Sequence, residues 1–263
     1  MKRVINVLVL LTAATSAFAG ITYKVQSSTN GLRNVTIAGT VAVDGPRMRM
    51  DITSGDNLLF KDNSIVLSND GGRTMTVIDP DTRTYFEMQL DQMIGAAMSS
   101  LRSNPMFKMS FENPTVAVKD EGVGEPIDGY RTRKSALEAS YDIAIDAMGQ
   151  KMSTHLDMRT ESWTTDQLSA ELVNFLQQRG IRTGIPEIDK LIDAQSESVK
   201  GFPLKQVSTV KVNQGGNDVT MTTVATVSNI EKKDIAASQF VMPAGYTKVD
   251  DPVSKMMKTL QPK

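Results

Sequence analysis

The chain has 263 residues, with 29 Lys and Arg against 30 Asp and Glu, a net charge of −1. A charge so near balance excludes the strongly basic footprint of a nucleic-acid binder. The absence of cysteine excludes disulfides, thiol catalysis and Cys metal sites, while 40% hydrophobic residues are enough to bury a sizeable core.

Lys2 and Arg3 precede a short apolar run, Val4 to Leu11, and Ala17-Phe18-Ala19 places small residues before Gly20. This is the layout of a cleaved secretory signal over residues 1–19. The run is far shorter than the roughly 20 residues of a membrane helix. Gly20, not a cysteine, follows the cut, so the usual bacterial lipid attachment has no acceptor. The expectation is an exported, periplasmic protein without a lipid anchor.

From Gly20 the sequence alternates in the manner of strands. "ITYKVQSS" puts Tyr23 and Val25 on one face, and "VTIAGTVAVDG" groups Ile37, Val41 and Val43, with Gly39 in their row as a candidate bulge. After the Gly45-Pro46 turn, "RMRMDI" sets Arg47, Arg49 and Asp51 against Met48, Met50 and Ile52. "SIVLS", "RTMTVID" and "TYFEMQL" follow, separated by "NDGG" and "DPDTR", which predicts consecutive antiparallel hairpins. The arginines are expected on a solvated outer face.

The period changes at Leu90. Leu90, Met93, Ile94, Ala97, Met98 and Leu101 recur at helical spacing, and Asn104-Pro105 ends the pattern. "MFKMSF" is another strand, and the Pro- and Gly-rich stretch 113–128 reads as a connector holding one short strand, "TVAVK". Strands resume over 129–162. Two helices are then predicted, one capped by Thr165 and ended by Gly180, the next opened by Pro186. "FPLKQVSTVKV" and "DVTMTTVATVSNI" make a final hairpin across "NQGGN", and the tail is expected to form a turn and a terminal helix. The sum is a mainly β protein with helices (α+β): one domain over 20–263, about eleven antiparallel strands, and helical insertions at about 90–103 and 165–197. An antiparallel sheet with one buried face needs an apolar partner, so a strongly curved sheet wrapped around its helices is the expected architecture.

The stretch "GTVAVDGPRMRMDI" through "SIVLSNDGGRTMTVIDPDTRTYFEM" resembles the LolA/LolB-like lipoprotein-carrier superfamily of the Gram-negative periplasm. Its counterparts to the superfamily pattern are Gly39 through Pro46, Met48-Arg49-Met50, Asp70 through Met75, and Asp79-Pro80. The close "DIAASQFVMPAGYTKV" is similar to that of uncharacterised relatives. The resemblance implies an incomplete antiparallel barrel of about eleven strands under a helical lid, its concavity holding acyl chains. This sequence departs from the carriers at Gly45, where they keep a basic residue before the proline, and at Met50 and Met75, where they keep aromatics.

Sixteen methionines in a chain with 5% aromatics are the compositional extreme. Met48, Met50, Met75, Met88, Met93 and Met98 fall on inward faces, with Val77 in the same alternation. Methionine is flexible and polarizable and suits surfaces that fit varied apolar shapes. These seven are therefore the candidate ligand-binding residues, for a lipid, a lipidated protein or another apolar ligand. The competing reading makes them ordinary core in a protein with a self-filled interior, which then docks an inner- or outer-membrane partner through its surface. Catalysis finds little support: His155 is the only histidine, and the Gly pairs sit in hairpin loops and not between strand and helix. Soft-metal binding has only Met48/Met50 and Met256-Met257 to offer, with no His or Cys beside them. The sequence thus predicts a non-enzymatic, monomeric binding protein with no cofactor, no metal and no nucleic-acid partner.

Overall fold

In the computed structural model the described residues are 20–31, 34–57, 59–89, 91–92, 95, 107–147, 150–168, 185–214 and 216–252. The N-terminal run is β1 (Gly20–Asn30), β2 (Val35–Asp44), β3 (Arg47–Gly55), β4 (Ile65–Ser68), β5 (Thr74–Asp79) and β6 (Thr84–Gln89). There follow β7 (Phe107–Val123), β8 (Arg133–Ala147), β9 (Gln150–Thr165), helix α1 (Pro186–Ser198), β10 (Phe202–Gln214) and β11 (Asn217–Lys233). A single 3-10 turn, Ala237–Phe240, and β12 (Thr247–Lys248) complete the chain.

All twelve strands lie in one sheet, ordered β12-β6-β5-β4-β3-β2-β1-β11-β10-β9-β8-β7. The two edges, β12 and β7, do not pair, so the sheet is an open, curved one and not a closed barrel. Each pairing is antiparallel except that of β12 with β6. The chain's first strand is central, held between β2 and β11.

Turn chemistry explains the hairpins. Gly45, at φ +55°, and Pro46 form the two-residue loop between paired Asp44 and Arg47, with the glycine where a positive φ is required. In the next turn Asp70 accepts hydrogen bonds from the Thr74 N–H at 3.0 Å and the Ser68 hydroxyl at 3.0 Å, while Gly72 N–H donates back to Ser68 Oγ. The expected irregularity at Gly39 is a register shift between Ala38 and Gly39. A Cβ at Gly39 would stand 2.5 Å from the Asp51 carbonyl oxygen and 3.1 Å from the Met50 methyl.

The structure corrects three expectations. Twelve strands stand where about eleven were expected, because Thr247–Lys248 pairs with β6 just after the expected turn; the expected terminal helix falls on residues outside the described ones. The supposed connector is part of β7, one 17-residue strand. Its Pro114 and Gly122 are absorbed at register shifts, with Asn113 at φ +52° and Gly122 at φ +85°. An edge strand tolerates proline because one side of its ladder is free. Arg47 and Arg49 are half-buried and engaged, not freely solvated. Thr165 ends β9, and its hydroxyl accepts from Gln167 N–H at 3.2 Å, the hydrogen bond of a capping residue.

Pro186 opens α1 as predicted. Of the helix expected at 90–103, only Asp91, Gln92 and Gly95 are described, and the helix expected to end at Gly180 lies outside the described residues beyond Leu168, as do the signal segment and residues 253–263.

The main cluster packs Ile21, Tyr23, Val41, Val43, Leu168, Phe202, Leu204 and Val227. Tyr23 meets Phe202 edge to face, ring centroids 5.5 Å apart, and burial pushes its hydroxyl pKa well up. Burial of such aromatic and aliphatic side chains contributes about 1.5–3 kcal/mol each. A second cluster joins Ile52, Val66, Val77 and Met88. On the other face Ala42, Ile235 and Phe240 form a third.

Candidate ligand-binding face

Side chains alternate across a strand, so register fixes which residues share a face. Tyr23 pairs with Val41, Val41 with Met50, Met50 with Val66, Val66 with Val77, and Val77 with Phe86, one row across six strands. Met48 stands between Val43 and Ser68, and Met75 opposite Met88. Five of the seven candidate residues are thus brought onto one inner face. Val77 (2% exposed) and Met88 (7%) are sealed in the second cluster, against which half-buried Met48, Met50 and Met75 pack. Met93 and Met98 lie outside the described residues.

The same face continues over β11, β10, β9, β8 and β7, where sequence reading placed no ligand contact. Met221, Val210, Met158, Ala139 and Val116 form one register row, and Val219, Val212, Leu156 and Tyr141 the next. Phe111 and Ile143 extend it, their strands joined also by the Phe111–Tyr141 ring contact at 5.9 Å. On this face β9, β10 and the stretch of β11 paired with β10 carry no charged side chain. Most of these apolar groups are half-buried, and Val116 and Met152 are exposed. The signal was present in "YDIAIDAMG" and "TVKV", whose alternation gives one wholly uncharged side. The methionine count drew attention to the other half of the sheet.

The opposite face of the same strands holds the charges. Lys134 pairs with Glu121 at 2.8 Å and Glu161 at 2.6 Å. Arg159 meets Glu121 at 2.7 Å, Glu161 at 3.2 Å and Glu138, and Lys119 reaches Glu138 at 2.5 Å. Hydrogen bonds from Lys134 and Arg159 hold the Glu121 and Glu161 pKa values down, and those from Lys119 and Arg159 do so for Glu138. The Lys134 and Lys205 ammonium groups lie 4.8 and 4.6 Å from the centroid of the Trp163 ring. A shallow hollow of ≈ 570 Å³ lies between Thr115, Glu138, Ser140, Asp157, Arg159 and Lys211.

His155 is on this charged face. Its Nδ1 is 2.7 Å from Asp142 Oδ1, and its Nε2 is 3.3 Å from Ser140 Oγ and 3.4 Å from Asp157 Oδ1. The line Ser140–His155–Asp142 has the membership of a hydrolase triad, but a second carboxylate stands at Nε2. Hydrogen bonding to Asp142, aided by Asp157, raises the His155 pKa. That favours the imidazolium, which cannot take a proton from Ser140. Among the described residues no group of three His, Asp or Glu side chains is arranged to hold a metal ion, and no helix is long and apolar enough to cross a membrane.

This is an open, curved antiparallel sheet with one face of mainly apolar and uncharged rows and one face that bears the ladder of ion pairs. The chain belongs to the family described as a domain of unknown function, DUF4412, whose model matches residues 26–246. Among solved structures it is similar to an uncharacterised conserved protein from Thermus thermophilus, at 10% identity and TM-score 0.37, over 89% of this chain and 91% of that one. It is also similar to a LolA superfamily protein from Nitrosomonas europaea, at 12% identity and TM-score 0.32, over 86% and 91%. A search of curated proteins returned no match.

Proposed function

We propose that this chain is a non-enzymatic periplasmic carrier or sensor that holds a lipid, or the acyl chain of a lipidated protein, against the inner face of its sheet. The observation that carries the reading is the set of uncharged, only half-buried apolar rows that run across the inner face of β7 to β11. A face of this kind in a soluble protein marks a ligand or interaction site. Each 100 Å² of apolar surface it loses to a ligand contributes about 2.5 kcal/mol before the costs of ordering. Met48, Met50 and Met75, half-buried at the rim of the second cluster, extend the contact into the N-terminal strands. Export rests on the layout of residues 1–19, and N-terminal sequencing of protein recovered from the periplasm should read from Gly20.

The direct test is native mass spectrometry of purified protein, followed by lipid extraction. Co-purifying lipid, or uptake of an added acyl lipid, supports the carrier; neither in any preparation removes it. The second reading, a self-filled interior with an envelope partner on the surface, is favoured by the sealed packing of Ile52, Val66, Val77 and Met88. The two separate by mutation. Leu156→Glu on the half-open rows should abolish lipid uptake with the fold retained if the carrier reading holds. In a self-filled protein the same change costs folding, as Met88→Asp is expected to do in either case.

A further inference from the structure

The inner face is not apolar throughout. Across β1, β11, β10 and β9 one register row reads Thr29, Thr223, Ser208 and Thr160. Thr29 Oγ1 is 2.9 Å from Thr223 Oγ1, and Thr160 Oγ1 is 3.0 Å from Ser208 Oγ. In the adjacent row Gln206 Nε2 donates to Ser162 Oγ at 3.2 Å. When two hydroxyls bond to each other only one O–H is the donor, and a hydroxyl that accepts from an amide keeps its own O–H. Each of these three pairs therefore retains an O–H for a further acceptor. To one side lies the row of Met221, Val210 and Met158, and to the other Leu204 and Val227 of the main cluster.

A belt of uncharged donors between two apolar zones selects by chemistry. A pure hydrocarbon lying across it would leave donors unmatched, which is costly when they are desolvated. A free carboxylate would have to shed water with no cation in the two rows that make the belt. An ester or amide carbonyl satisfies the donors and carries no charge to desolvate. Resting on the carrier reading above, we propose that the inner face takes acyl chains joined through uncharged ester or amide linkages, as in a diacylglycerol unit, in preference to free fatty acids. The linkage carbonyls lie on the Thr29–Thr223 and Thr160–Ser208 hydroxyls.

The test uses delipidated full-length mature protein and two probes with the same chain, radiolabelled dioleoylglycerol and oleic acid, at pH 7.5. Dioleoylglycerol should bind at least about tenfold more tightly per chain, the size expected when one or two hydrogen bonds discriminate. The double variant Thr160→Val/Thr223→Val, nearly isosteric, should bring that ratio close to one while oleate binding is kept. Thr29→Val, at the half-buried end of the row, reads the same effect if the double variant fails to fold, and Thr223→Ser should preserve the preference. Equal or tighter binding of oleate by the wild-type protein overturns this proposal and leaves the carrier reading standing. So does a preference that survives removal of the hydroxyls. Binding of neither lipid overturns the carrier reading itself, and this inference with it.

Discussion

Gly39 carries no chemistry, yet the sheet depends on its lack of a side chain. A Cβ there meets backbone at Asp51, which has no freedom to retreat, as well as the Met50 methyl. Gly39→Ala should lower stability by about 1–3 kcal/mol, the usual cost of overpacking, read as a reduced urea midpoint. It should also displace Met50, which with Met48 packs against both of the first two clusters. His155 makes the second prediction at this scale. Its folded pKa is raised, first by the hydrogen bond to Asp142, so its stabilising contribution is complete below the unfolded value of about 6.5. That contribution is lost as pH rises through the raised folded value. Because the chain has one histidine, its ring resonances titrate alone in an NMR spectrum. The midpoint should lie above 6.5, and His155→Gln should erase the extra stability seen at pH 5.5 relative to pH 9. A midpoint at or below about 6.5 contradicts the geometry.

Among the elements, the segment after β11 acts as a clasp on the charged side of β2 and β3. Phe240 is 2% exposed, the Arg47 guanidinium sits 4.9 Å from its ring centroid, and Arg49 Nη1 donates to the Gln239 carbonyl at 3.2 Å. Asn69 Nδ2 donates to the Phe240 carbonyl, and Lys248 meets Glu87 beside β12. Phe240→Ala should cost about 3–5 kcal/mol in an unfolding titration, the range for deleting a buried aromatic ring, and should release the C-terminal segment to proteolysis. The hairpins of β1 to β6 were legible because turn residues and period-two alternation carry their own local physics. The clasp was not: its anchor pairs residues about 190 positions apart, and no local pattern encodes such a contact. β7 was misread for the opposite reason. Pro114 and Gly122 are local breakers, and only the freedom of an edge lets one strand absorb both.

At the scale of the whole molecule the dominant fact is segregation. One face of β7 to β11 carries a ladder of Lys, Arg and Glu, and the other carries rows of uncharged side chains. Exposed ion pairs contribute little singly, about 0–1 kcal/mol, so the ladder's weight is in keeping those strands soluble and fixing which side faces water. The alternation in the sequence made the two faces legible. Which uncharged stretch stays open was not, because that depends on packing between strands distant in sequence. Breaking the ladder with Arg159→Met, which leaves Glu121, Glu138 and Glu161 facing two lysines, should leave lipid uptake unchanged in the mass-spectrometric assay; a loss of uptake would place the ligand on the charged face.

The position of β1 at the centre of the sheet has a consequence for how the protein is made. Its partner on one side, β2, follows at once, but its partner on the other, β11, ends at Lys233. Until nearly the whole chain has emerged, the N-terminal hairpins present an unfinished border along Gly20–Asn30, and such borders recruit other chains. Closing a seam between residues some 200 positions apart is also slow. A stop codon or a protease cut before β11 therefore yields no half-working fragment. It yields a sticky template, and the cell that makes this nascent chain has reason to keep it chaperoned until its last long strand arrives.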